Sequence, residues 1–116
     1  KSHRTMSLLT PELIIRFAEI GCQEHDQDPI VVCKFFAPSG AATWFATEYL
    51  PEDHIIFGYV QGLSPHPEDD EWGYTSLTEL EALRVPPFDL PIERDLYWTE
   101  GRFSQVVQLR KRWFRE

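Results

Sequence analysis

The chain has 116 residues, of which 42% are hydrophobic and 14% aromatic, and its formal net charge is −8 at pH 7. This length and this apolar content predict one folded domain and exclude a disordered protein. No apolar run approaches the roughly 20 residues that cross a bilayer, which excludes a membrane-spanning role. The acidic balance argues against direct binding of nucleic acid.

The charge is distributed unevenly along the chain. Residues 1–5 precede Met6, the only methionine, and are expected to derive from the cloning vector, so residues 6–116 form the predicted domain. Residues 6–101 hold four basic and eighteen acidic residues, a net charge of −14, whereas residues 102–116 hold five basic residues and one acid. The acidic body should repel nucleic acid and attract a cationic partner.

The first predicted element is a helix over residues 10–20. Thr10 is a favoured N-cap residue, Pro11 fits the first helical position, and Gly21 suits the C-cap. Apolar residues recur at helical spacing along it, at Leu13, Ile14, Phe17 and Ile20.

Three strands are predicted next, over residues 30–37, 43–50 and 54–63, because each is rich in β-branched and aromatic residues and the connections between them are short. They form an antiparallel meander. Strict alternation along the second strand places Trp44, Ala46 and Glu48 on one face. An acidic, proline-rich loop over residues 64–71 then leads into a short aromatic strand over residues 72–75.

The last third of the chain predicts two more helices. Ser76 and Glu79 have the spacing of a capping box for a helix over residues 77–84, which Pro86 and Pro87 end. Residues 97–99 are predicted as a last short strand. An amphipathic basic helix follows, with one face formed by Phe103, Val106, Val107, Arg110, Trp113 and Phe114.

These elements predict an α+β fold, with a mainly antiparallel sheet of four to five strands and two to three helices packed largely on one of its faces. The C-terminal helix is expected to dock on the acidic body of its own chain, because its apolar stripe is too large to leave in water. Docking on a membrane surface or in a groove of a partner stays open as an alternative.

One candidate binding site centres on the triplet Glu93, Arg94 and Asp95, which lies in an otherwise apolar segment. Ions in such a segment are paired, solvated or functional. The triplet is therefore either a structural ion-pair network or a site at which Arg94 binds a carboxylate or phosphate. Four further residues could line a cleft with the triplet, namely Trp44, Glu48, Trp72 and Tyr74. Desolvation beside the aromatic rings would raise the pKa of a carboxylate there and suit it to act as a general acid.

A second candidate surface is the acidic run Glu68, Asp69, Asp70 and Glu71, which could bind a basic protein partner. The run lacks the glycine and the alternating ligands of a calcium loop. Cys22, His25, Cys33 and His54 include only one closely spaced pair, so no metal site and no cofactor are predicted. Cys22 and Cys33 are expected to be reduced thiols in a cytoplasmic protein.

A series of short motifs, taken in their order along the chain, resembles the small bacterial family known as domain of unknown function 2958 (DUF2958). The motifs lie at residues 8–10, 34–38, 44–48, 57–63, 71–81 and 90–96. The resemblance implies no activity, cofactor or catalytic residue, since none is established for the family. Similar proteins are typically encoded on plasmids, integrative elements and phages, often near genes of DNA transfer or antirestriction.

Together these observations predict a non-enzymatic accessory of a mobile genetic element that acts by binding another protein, as an acidic antagonist of a DNA-binding or defence protein. No phosphate-binding glycine loop and no serine or zinc hydrolase motif occurs in the sequence. The alternative is a small-ligand-binding protein or an enzyme that uses the Glu93–Arg94–Asp95 triplet and the aromatic cleft.

Overall fold

The structure, a computed structural model, describes residues 7–110. Its helices are α1 (Pro11–Ile20), α2 (Leu77–Ala82) and α3 (Phe103–Val106), with a 3-10 helix at Pro67–Asp69. Its strands are β1 (Ile30–Val31), β2 (Cys33–Phe36), β3 (Thr43–Leu50), β4 (Ile55–Gln61), β5 (Glu71–Ser76), β6 (Arg84–Val85), β7 (Leu90–Pro91), β8 (Glu93–Arg94) and β9 (Gly101–Arg102). Within residues 7–110 no helix combines the length and apolarity needed to cross a membrane.

The main sheet has five antiparallel strands in the order β5-β4-β3-β2-β8. Two short antiparallel pairs accompany it, β1 with β9 and β6 with β7. The predicted α+β class and the number of strands are confirmed. β5 and β8 form the two edges of the main sheet, and this placement decides which of the predicted site residues can meet.

Helix α1 is confirmed with the predicted caps. The Thr10 hydroxyl accepts the backbone N–H of Leu13 at 3.1 Å, and the Gly21 N–H donates to the Phe17 carbonyl at 2.9 Å. Gly21 has φ of +72°, a backbone conformation that side chains disfavour and glycine tolerates. The helix buries Phe17 against the sheet, where its ring lies 6.0 Å from that of Tyr49.

Three predictions about the strands and helices are wrong. The strand predicted over residues 30–37 is broken at Val32, because Ile30 and Val31 leave the main sheet to pair with β9. Helix α2 ends at Ala82, since Arg84 and Val85 pair with β7. Residues 97–99 form no strand, and short strands lie on either side of them at β8 and β9.

Both faces of the main sheet are covered, and the helices are divided between the two faces. On one face the main core contains Phe17 of α1, Leu77 and Leu80 of α2, and Trp44 and Val60 from the sheet. On the other face a second core joins the segment after β9 to β1, β3 and β4, through Val31, Phe45, Tyr59, Trp98, Phe103, Val106 and Val107. The prediction that the helices share one face is therefore wrong for α3.

The predicted C-terminal helix is also wrong in extent, because α3 ends at Val106. Val107 is extended and buried against Val31 and Phe45, and the extended chain carries Arg110 to Asp70. These contacts replace the helical continuation that the periodicity predicted. Trp113 and Phe114, which belong to the same predicted face, lie outside the described residues. Residues 103–110 do pack on the body of the chain, as predicted.

Candidate functional site

A β-bulge in β3 decides which face Glu48 occupies. Ala46 pairs with Gly58 and Glu48 with Phe57, so the register shifts at Thr47, which has no partner of its own. The extra residue reverses the alternation beyond it. Trp44 stays in the main core, whereas Glu48 lies on the opposite face. The predicted shared face of Trp44 and Glu48 is therefore wrong.

The buried amide of Gln23 holds the bulge and the loop before β1 together. Its Nε2 donates to the carbonyls of Ile30 and Thr47, both at 2.9 Å, and its Oε1 accepts the Ile30 N–H at 2.8 Å. The backbone N–H of Gln23 donates in turn to Oε2 of Glu48 at 2.8 Å. One carboxylate oxygen of Glu48 is thus fixed by a backbone donor, and the carboxylate has a defined orientation.

Trp72 forms a rigid aromatic wall on the same face. Its ring lies 5.9 Å from the ring of Phe57 in a stacked arrangement, 5.5 Å from that of Tyr59 and 4.8 Å from that of Phe103. Three aromatic neighbours fix the indole, yet Trp72 is still 38% exposed. Tyr74, also on β5, packs its ring 4.9 Å from Phe57 and is exposed to solvent.

Glu48 and Trp72 line one cavity of about 280 Å³, which we call the acid–aromatic pocket. Its walls are Gln23, Glu24, Asp26, Gln27, Pro29, Thr47, Glu48, Phe57 and Trp72. Three of these residues are acidic and none is basic. Asp26 is paired with Arg102 at 2.8 Å, and Glu24 lies 3.3 Å from Nε2 of His25, which leaves Glu48 as the acidic wall residue without an ionic partner among the described residues. Such a pocket suits a positively charged group.

The Glu93–Arg94–Asp95 triplet lies at the other edge of the sheet. Arg94 pairs with Phe35 of β2, whereas Trp72 and Tyr74 lie on β5, four strand spacings or about 19 Å away. The structure therefore does not bring the triplet together with Glu48, Trp72 and Tyr74. The composite cleft considered from the sequence does not form.

Within the triplet the charges are not paired with one another. The Arg94 Nη1 donates to the Leu8 carbonyl at 2.8 Å, and Asp95 contacts Lys34, with 3.8 Å between Oδ2 and Nζ. Glu93 is exposed. Arg94 borders a cavity of about 310 Å³ with Ser7, Pro91 and Leu96. Ligand binding at this triplet stays a prediction.

The acidic run at residues 68–71 is only partly available to a partner. Glu68 and Asp69 lie in the 3-10 helix and Glu71 begins β5, and all three are exposed. The side chain of Asp70 is only 3% exposed. It accepts two hydrogen bonds from Arg110, one of them at 2.7 Å, and a third from the Gly62 N–H at 3.0 Å. Asp70 therefore anchors the C-terminal segment.

Sequence reasoning missed a polar chain on the α1 and α2 side of the sheet. The Tyr49 hydroxyl contacts Nδ1 of His54 at 2.8 Å, and His54 Nε2 lies 3.3 Å from Oε1 of Glu81. The other oxygen of Glu81 accepts the Leu8 N–H at 3.0 Å. Partial burial and the nearby Glu81 raise the pKa of Tyr49. Each group in this hydrogen-bonded series has a partner, so we interpret the series as a structural network.

The described residues contain no group of three or more His, Cys, Asp or Glu side chains arranged to hold a metal ion. Cys22 and Cys33 are both free thiols, and burial raises the pKa of Cys33 to about 12. Cys33 is thus an inert core residue at neutral pH.

The fold and the pocket define a small α+β protein with an acidic, aromatic-walled cavity on one face of a five-stranded sheet. The chain belongs to the family described as Protein of unknown function (DUF2958), whose model matches residues 8–112. No solved structure matches it.

A curated relative, named RNA pyrophosphohydrolase, comes from Acidiphilium cryptum (strain JF-5). It is 37% identical over 84 residues, which are 71% of this chain and 49% of the relative. The chain thus spans about half the length of this relative.

Proposed function

We propose that this protein acts by binding another protein with a basic surface, and that a cationic side chain of this partner enters the acid–aromatic pocket. In this proposal the protein is a cytoplasmic accessory of a mobile genetic element and antagonises a DNA-binding or defence protein. The mobile-element setting rests on the resemblance described under Sequence analysis. A basic partner follows from the net charge of −14 over residues 6–101.

The observation that carries the proposal is the carboxylate of Glu48, which lines the pocket without an ionic partner among the described residues. Glu48 is oriented by the Gln23 N–H, and its Oε1 has no hydrogen bond within the described part of the chain. The indole of Trp72 supplies a π-face within the same cavity. A guanidinium or ammonium group there would pair with the carboxylate and contact the ring, and both interactions strengthen as the pocket excludes water.

A test uses a hexa-arginine peptide as the probe and isothermal titration calorimetry as the measurement. Glu48→Gln keeps an acceptor for the Gln23 N–H but removes the charge, so we expect affinity to fall roughly tenfold or more. Glu52→Gln is the matched control, because Glu52 is exposed in the turn between β3 and β4. Equal losses in the two variants would mean that the peptide senses only net charge, and the proposal would fail.

The relative's name points to a second candidate, an enzyme that hydrolyses a phosphoanhydride of RNA. The cavity beside Arg94 is where an anionic substrate would be attracted, since the guanidinium is partly exposed there. Incubation with 5′-triphosphorylated RNA and Mg²⁺, followed by detection of released phosphate and pyrophosphate, tests it. Release that Arg94→Ala abolishes and Glu48→Gln spares would replace the binding proposal with the enzymatic one.

A further inference from the structure

We infer that the partner contributes an extended basic segment that joins the main sheet as a sixth strand, along the free edge of β5. This inference rests on the proposed function, since it describes how the segment that carries the cationic side chain is held. It concerns backbone pairing along β5, whereas the pocket acts through the side chains of Glu48 and Trp72, and it can therefore be tested separately.

β5 is the long edge of the sheet. Its six residues, Glu71–Ser76, pair with β4 on one side, and no other strand of the described chain pairs with them. The opposite edge, β8, has only two residues. An unpaired edge of this length presents a row of backbone donors and acceptors to an incoming strand.

Two hydrogen bonds show which backbone groups of β5 face outward. The Phe57 carbonyl accepts the Thr47 hydroxyl at 3.2 Å and so faces β3, whereas the His54 carbonyl accepts the Leu77 N–H on the β5 side. Odd-numbered residues of β4 therefore turn their backbone groups to β3. Their partners on β5, Trp72 and Tyr74, turn their N–H and C=O groups away from the sheet.

The edge lacks the features that usually block strand addition. Residues 71–76 contain no proline and no lysine, and their one charged residue is Glu71 at the start of the strand. At Gly73 a Cβ would find no atom within 4 Å, so no side chain of the described residues packs over this position of the strand. The outward-facing residues Trp72 and Tyr74 also carry exposed aromatic rings.

The charge of the chain and the position of Trp72 identify the occupant. Alternate side chains of an added strand lie on the face that holds the acid–aromatic pocket. An arginine opposite Trp72 has only one strand spacing, about 4.8 Å, to cross before it reaches the indole in the pocket wall. A second copy of this chain would bring a like net charge of −8 to the edge, so a basic segment is favoured over a homodimer.

The test uses an eight-residue peptide that alternates arginine and valine, in three forms: unmodified, N-methylated at the arginines, and N-methylated at the valines. In a strand, alternate residues share one edge, so each modified form blocks one edge and keeps the composition and charge. We expect one modified form to bind at least tenfold more weakly and the other to bind like the unmodified peptide. Equal affinities of all three forms would overturn the inference.

Matched variants of the protein test the same strand pairing through a donor of the protein. Tyr74→Pro removes the outward N–H, which the sheet does not use, and Tyr74→Ala removes the ring but keeps that N–H. We expect Tyr74→Pro to bind the unmodified peptide at least tenfold more weakly than Tyr74→Ala. If Tyr74→Pro fails to fold, the N-methylated peptides decide the question alone.

The outcomes separate this inference from the proposed function. A loss with Glu48→Gln, but none with N-methylation or Tyr74→Pro, would leave the pocket as the binding site and overturn strand addition. Analytical ultracentrifugation tests the rival occupant, because a homodimer that Tyr74→Pro dissociates would show that the edge binds a second copy. A monomer at the same concentration supports the partner segment.

Discussion

Arg110 and Asp70 lie 40 residues apart in the chain, yet the Arg110 guanidinium contacts both carboxylate oxygens of Asp70 and fixes the C-terminal segment against the loop before β5. Its Nη2 also donates to the carbonyls of Ser64 and His66. The hydrogen bonds to Asp70 raise the pKa of Arg110, which stays charged at all relevant pH values. This contact places a basic residue of the C-terminal segment on the acidic body.

The first prediction concerns this ion pair. Arg110→Ala removes the guanidinium that donates two hydrogen bonds to the buried carboxylate of Asp70, so we expect the free energy of unfolding to fall by about 2–4 kcal/mol. Arg102→Ala is the control, because its pair with Asp26 is half exposed and should contribute less than about 1 kcal/mol. Urea denaturation measures both changes, and equal losses would show that burial of Asp70 does not matter.

The second prediction is a pH dependence at Asp28. The Ser104 hydroxyl and N–H donate to its carboxylate at 2.6 and 2.8 Å and lower the pKa of Asp28 below its ordinary value of 3.8. Because the pKa of Asp28 is lower in the folded than in the unfolded chain, its carboxylate stabilises the fold at pH values above the unfolded-state pKa. This contribution disappears as the pH falls through the folded-state pKa. The wild-type thermal midpoint should therefore exceed that of Ser104→Ala at pH 7, by a margin that shrinks below pH about 4.

Ser39→Ala is the matched control for that series, since the Ser39 hydroxyl contacts the Val85 carbonyl and no ionisable group. Its effect on the thermal midpoint should not change with pH. A margin for Ser104→Ala that stays constant or grows on acidification would contradict the assigned hydrogen bonds to Asp28.

The third prediction concerns Gln23, which positions Glu48. Gln23→Ala removes three hydrogen bonds and leaves backbone groups of Ile30 and Thr47 without partners, so we expect a loss of about 3 kcal/mol. Gln27→Ala, in the same loop but exposed, should change stability by less than about 0.5 kcal/mol. Thermal unfolding measures both changes. If Gln23→Ala is nearly as stable as the wild type, the bulge forms without this amide and the prediction is wrong.

The fourth prediction separates the two interpretations of Arg94. Its guanidinium donates to the Leu8 carbonyl, and no ion pair to a carboxylate is seen for it among the described residues. Arg94→Ala should therefore cost about 1 kcal/mol, the contribution of one hydrogen bond. Chemical denaturation measures the change. A loss above roughly 3 kcal/mol would indicate that Arg94 neutralises a buried carboxylate after all.

Local patterns were enough to predict α1 and the longer strands of the main sheet. Thr10, Pro11 and Gly21 mark the ends of α1 because capping depends on neighbouring residues, and the apolar content of residues 43–50 identifies β3. The bulge at Thr47 could not be predicted, because it reflects pairing with β4 and leaves no local signal. For this reason strict alternation predicts the wrong face for Glu48.

The errors at the C-terminus and in the composite cleft have a similar origin. The apolar spacing from Phe103 to Phe114 is helical, but burial of Val107 and the contact of Arg110 with Asp70 favour an extended chain. Strand order is a long-range property, so the sequence could not show that Trp72 and Arg94 lie at opposite edges. Gln23 was missed because a single glutamine in a polar loop carries no signal of burial.

The most direct test of the central claim is an NMR titration of the ¹⁵N-labelled protein with N-acetyl-arginine amide. If a cationic side chain enters the acid–aromatic pocket, the largest shifts should occur at the Trp72 indole N–H and the Gln23 backbone N–H. The indole N–H of Trp44, in the main core, should not move. Shifts centred on Arg94 and Leu8, or none at saturating ligand, would contradict the account.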